Sequence, residues 1–163
     1  MEWKNLSDNS KIDLVTYVGD YVRLKPNTKI FIGTDSQNKG RNTWYALIVM
    51  LYEPGKGAHV LYARERHDRI NDMFTKLFKE VDYSIQIAEM IRDSGVASIL
   101  TIDIDFNVDK KYKSNALLLS ALGWCAGLGF ETRSKPEAYA ASYAADMLVK
   151  KGSINYNQQP ALI

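Results

Sequence analysis

Ala97-Ser-Ile-Leu-Thr-Ile-Asp-Ile-Asp-Phe106 reads as one continuous β run, yet it carries two aspartates, a residue type disfavoured inside strands. The segment before it, Asn71 to Ser94, repeats Phe74, Leu77, Phe78, Val81, Ile85, Ala88 and Ile91 at helical spacing, and Gly95 follows in the C′ position of a helix. A strand entered through a helix returns parallel to a strand already in the sheet. The partner it predicts is Lys29-Ile-Phe-Ile-Gly33, a short apolar run that stops at Thr34-Asp35-Ser36.

Between these two strands, Thr43 to Tyr52 and His59 to Arg66 read as two further strands joined by the turn residues Glu53-Pro-Gly-Lys-Gly57, completing an antiparallel meander. Upstream, Ile12, Val15, Val18 and Val22 predict an amphipathic helix over Ser10 to Arg23, with Asp8 or Ser10 as N-cap and Lys25-Pro26-Asn27 as its stop. Downstream, a helix capped by Ser114 runs through Leu128, Phe130 to Arg133 forms a fifth strand, and Ser134-Lys-Pro-Glu137 opens a last helix through Lys150 in the manner of a capping box. The tail 152–163 has no periodicity and is expected to fray, leaving one domain over 1–163 with its core at about 10–151. The resulting order predicts an α/β fold with a mixed five-stranded sheet, an antiparallel three-strand meander and then two strands with crossover helices, flanked by helices on both faces. That order is the order of the ribonuclease H-like fold.

In such a sheet Asp35 ends the first strand, while Asp103 and Asp105, two apart, point to one face at the neighbouring strand's end. Converging carboxylates raise each other's pKa, which makes physical sense chiefly when a cation sits among them. Magnesium or manganese suits oxygen ligands. Glu80 flanks the apolar stripe of the long helix, with Glu89 as the rival nearer Arg92, and the last helix offers Asp146 in an alanine-rich stretch that can approach the sheet closely. Two ions about 3.5–4 Å apart in such a cluster can activate water and stabilise a leaving oxygen of a phosphodiester. Asp35, Glu80, Asp105, Asp103 and Asp146 are therefore the expected catalytic and metal-ligating residues.

The rest of the composition narrows the class. In 163 residues, 21 basic and 19 acidic side chains leave a net charge of only +2, so any nucleic-acid contact must come from local patches. Lys110, Lys111 and Lys113 after the fourth strand, Lys135 at the last helix, and Arg64, Arg66 and Arg69 near the third strand are candidates to meet phosphates. His59 and His67 have no cysteine or third histidine nearby, which argues against a zinc site, and the lone Cys125 reads as a small buried hydrophobe. Neither a secretory leader nor an apolar run of membrane-crossing length is evident, so a cytoplasmic location without membrane association is expected.

Ile30-Phe-Ile-Gly-Thr-Asp-Ser-Gln37 resembles the opening motif of the YkuK family of ribonuclease H-like bacterial and phage proteins. Gly127-Leu-Gly-Phe130 through Lys135-Pro-Glu-Ala-Tyr-Ala-Ala-Ser-Tyr-Ala-Ala-Asp146 is similar to that family's closing motif. The resemblance spans roughly Ser10 to Lys151 and implies Asp35, Glu80, one aspartate of the fourth strand and Asp146 as metal ligands. The family pattern has a single acidic residue and then a glycine-containing turn, whereas here Asp103 and Asp105 are doubled and Asn107-Val-Asp-Lys110 lacks glycine. Asp105, nearer the rim, is the first choice and Asp103 the second. The expected activity is a two-metal nuclease acting on an RNA/DNA hybrid or a structured DNA; the alternative is a nucleic-acid-binding or assembly module that does not cleave.

Overall fold

A computed structural model describes residues 1–96, 98–106, 115–135 and 137–149. Its meander consists of β3 (Lys29–Lys39), β4 (Asn42–Glu53) and β5 (Gly57–Asp68), preceded by β1 (Trp3–Asn5), β2 (Lys11–Ile12) and α1 (Leu14–Leu24). After the meander come α2 (Met73–Asp93), β6 (Leu100–Ile104), α3 (Asn115–Gly127), β7 (Glu131–Ser134) and α4 (Tyr139–Val149). Among the described residues the sheet has seven strands in the order β2-β1-β5-β4-β3-β6-β7. β6 lies beside β3 and parallel to it, with Gly33 opposite Asp103, as the crossover argument requires.

The expected five-stranded sheet is thus corrected to seven by a small N-terminal hairpin. Lys11 and Ile12, read as the start of the first helix, instead pair with Lys4 and Trp3. Strands of three and two residues are too short to show alternation, and the intervening turn carries Asn9 at a positive φ of 59°. The helix begins after Asp13, not Asp8 or Ser10, because the Asp13 carboxylate accepts from the Thr16 N–H at 2.9 Å. The first meander strand also runs past Gly33 to Lys39, so Asp35 lies within a strand rather than at its end. What stops at Gly33 is the pairing with β6.

Alternation along the meander separates two cores. Ile30, Ile32, Tyr45, Leu47, Val49 and Leu51 face α1, α2 and α3, while Phe31, Ala46, Ile48, Met50 and Val60 face α4. Cys125 is fully buried on α3 and its thiol is pushed up to about 11 by burial, as a packing residue should be. α4 begins at Tyr139 rather than at Ser134, since Arg133 and Ser134 are held in strand pairing with Asp103 and Ile104. Lys110, Lys111, Lys113 and the tail 152–163 lie outside the described residues.

The close approach of α4 depends on Gly33. A β-carbon there would sit 2.3 Å from the Ala141 nitrogen and 2.7 Å from the Ala140 carbonyl carbon, both backbone atoms that cannot turn aside. Gly33→Ala is accordingly expected to lower stability by about 1–3 kcal/mol, read as a fall in the urea midpoint. A midpoint equal to wild type would mean that α4 can lift from the sheet at no cost.

Candidate acidic site

The site follows from the β3–β6 register. Gly33 and Asp103 are opposite, so Asp35 and Asp105, each two residues further, project on the same side just past the last paired residues. Gly33 and Asp103 both meet α4, which places the two outer aspartates on that face of the sheet. Thr34 and Ser36 point the opposite way, toward α2. There Ser84 hydrogen bonds Thr34 at 3.0 Å, and the Ser36 hydroxyl donates to Glu80 at 2.5 Å. Glu80, only 4% exposed, thereby reaches the strand ends from below.

Three of the five sequence candidates interact electrostatically. Burial is the main influence raising the Asp35 carboxyl to about 6, and Asp105 raises it further; Lys135 and Lys76 oppose this only in part. Glu80 is pushed well above the ordinary carboxylate range, again first by burial and then by Asp35, with Asp105 adding to the effect. Asp105 itself ion-pairs with Lys135 at 2.6 Å. Lys135, expected to meet phosphate, is thus seated against an acidic residue.

Asp103 is differently engaged. Arg133 binds its carboxylate with two parallel hydrogen bonds of 2.8 and 2.9 Å, and the Ala140 N–H in the first turn of α4 donates to it at 2.7 Å. The guanidinium also lies 3.7 Å from the centre of the Phe31 ring and 5.0 Å from that of Tyr139. A buried carboxylate is being satisfied by an arginine fork and a helix N-terminus, which accounts for an aspartate in mid-strand. Glu89 is half exposed beside Arg92, nine residues along α2 from Glu80, and takes no part. Asp146 is exposed on α4 and is not among the strongest influences on Asp35 or Glu80.

Ser36, Lys76 and Arg133 belong to the site and were not among the sequence candidates. Ser36 adjoins Asp35 and Lys76 precedes Glu80 by one helical turn, so local spacing carried a signal for both. Arg133 carried none, because its partner is known only from the strand register. Among the described residues, no three acidic, histidine or cysteine side chains stand together as a ready-made metal cage. The donor set nevertheless suits an oxygen-seeking cation: Asp35 and Glu80 are desolvated, mutually repelled, and only partly offset by two lysines.

A family model described as ribonuclease H-like matches residues 13–150. The protein YkuK of Bacillus subtilis (strain 168) is 28% identical over 149 residues, covering 81% of this chain and 87% of that protein. Among solved structures, the N-terminal RNase H domain of rv2228c from Mycobacterium tuberculosis, fused to maltose-binding protein, is similar with 12% identity. That match has a TM-score of 0.38 and covers 74% of this chain and 99% of the other. No helix among the described residues is long and apolar enough to cross a membrane.

Proposed function

Because the chain belongs to the ribonuclease H-like family, we propose that it is a magnesium- or manganese-dependent nuclease that hydrolyses phosphodiester bonds in an RNA/DNA hybrid or a structured nucleic acid. The observation that carries this reading is the raised proton affinity of Asp35 and Glu80, whose charges burial and mutual repulsion disfavour unless a cation joins them. Asp35, Glu80 and Asp105 would hold the metal, and Asp146 stands as a further ligand through the family resemblance alone. When bound, the metal would supply a Lewis acid to polarise the phosphoryl group and water.

The chain's own residues set the conditions for that chemistry. Ser36 fixes the Glu80 carboxylate by its hydrogen bond, and Lys76 and Lys135 temper the negative field before a metal arrives. Arg133 keeps Asp103 out of the cluster by occupying both of its oxygens. These contacts anchor the β6 end, so that Asp105 is presented beside Asp35. A nucleic-acid-binding module without cleavage is the second reading, favoured by Arg64 and Arg66, exposed on β5, with the Arg66 guanidinium beside the Trp44 ring.

Thermal unfolding in a manganese titration separates the two. A metal bound by the folded state alone adds about 2.7 kcal/mol at a hundredfold excess over its Kd, and the midpoint should climb accordingly. Glu80→Gln should remove most of that rise, whereas Glu89→Gln should keep it. A wild-type midpoint that ignores millimolar manganese would sink the nuclease reading.

A further inference from the structure

The meander carries a second feature on the face where Asp35 projects. Continuous register across β3, β4 and β5 lines up Asp35, Ala46 and Arg64 in one row, and Gln37, Trp44 and Arg66 in the next. α4 packs over β3, β4 and β6, and on β5 the side chains of Arg64 and Arg66 emerge exposed. The Arg66 guanidinium lies 5.9 Å from the centre of the Trp44 ring.

The same face is bounded by further cations. Lys39 shares it at the end of β3, and Lys4 shares it on β1, opposite Tyr62. Acidic groups on this side include Asp68, opposite Asn42, Glu2, which holds Lys4 at 3.3 Å, and Asp146, exposed on the overlying α4. Ala46 is buried beneath α4, but Gln37 and Trp44 stay partly exposed, and along their row the surface passes from the acidic end of β3 to the positive β5 within two interstrand spacings, about 10 Å. That is roughly three steps of a polynucleotide strand at about 3.4 Å each. Gln37, two residues beyond Asp35 on the same strand, has a buried Oε1 with no hydrogen-bond partner among the described residues.

We propose that this face is the track along which a nucleic-acid strand enters the acidic site, with Arg64 and Arg66 each engaging a backbone phosphate. The chemistry follows from the pairing of charge: guanidinium forks match phosphate oxygens, and the aromatic rings of Trp44 and Tyr62 beside them are sequence-tolerant surfaces for a base or sugar. A polyanion held there has its next linkages over Asp35 and Asp105. The inference deepens the nuclease reading but stands on separate residues.

The test is binding of fluorescein-labelled single-stranded RNA and of an RNA/DNA hybrid, followed by anisotropy in EDTA so that no cleavage intrudes. Replacing both arginines, Arg64→Ala with Arg66→Ala, should weaken binding about tenfold or more. The slope of log affinity against log salt should shrink by about 1.4 for the single strand or about 1.8 for the duplex, two phosphate contacts' worth. Arg23→Ala on α1, whose guanidinium is paired with Asp20, should change neither quantity. If the double variant has a lowered thermal midpoint, Arg66→Gln alone should show about half the slope change. A correctly folded double variant that binds with wild-type affinity and salt slope would overturn the track, as would a wild type that binds neither probe. Arginine-dependent binding without any manganese-dependent cleavage would uphold the track and remove the nuclease reading.

Discussion

Asp35→Asn is expected to abolish manganese-dependent cleavage, lowering the rate by at least about a hundredfold, and at the same time to make the metal-free protein more stable at neutral pH. The second half follows from the sign of the proton linkage. Burial, with Asp105 behind it, raises the Asp35 carboxyl from 3.8 to about 6 in the folded chain. The folded state then binds the proton more tightly than the unfolded state does. No penalty exists below about pH 4, a penalty grows as pH rises toward about 6, and it is constant above. Its size is on the order of 2–3 kcal/mol. Asparagine cannot ionise, so thermal midpoints of the two proteins in EDTA should separate over that interval, the variant being higher. Coincident midpoints at pH 8 would show that Asp35 bears no electrostatic strain and would remove the main support for a cation there.

Arg133→Ala should be among the most damaging single changes, costing about 3–5 kcal/mol. The Asp103 side chain is fully buried and that of Arg133 is 23% exposed, so truncation strands a carboxylate away from water. Burial already raises the Asp103 carboxyl, with Arg133 the first influence holding it down. Lysine should rescue poorly, because an ammonium can neither fork onto both oxygens nor lie flat against Phe31 and Tyr139. Adding Asp103→Asn to Arg133→Ala should recover part of the loss, since a neutral amide oxygen still accepts from the Ala140 N–H. A loss below about 1 kcal/mol for Arg133→Ala in chemical denaturation would mean that water reaches the pair.

Asp35 was legible in the sequence and Arg133 was not. The alternation and helical spacing that identified the meander, α2 and β6 are local properties, and they were enough to place β6 parallel to β3 and to bring Asp35 beside Asp105. The hairpin β1–β2 escaped because strands of three and two residues have no period to read. Position near the rim ranked Asp105 before Asp103, but the reason that they differ was beyond any local pattern. Both are aspartates in one β run, and what separates them is the arginine that a distant strand delivers to one and the lysine that reaches the other. The alanines of α4 did signal close packing, realised where Ala140 and Ala141 meet Gly33.

The break in pairing at Gly33 has a consequence for the order in which the chain assembles. Tight turns join β3, β4 and β5, so their register closes over short stretches of backbone. The β3–β6 ladder must wait for α2 to cross the sheet, with a far larger loss of chain entropy. Asp35 therefore meets Asp105 and Glu80 only as the long-range half of the molecule docks, when most of the stabilising surface is being buried together.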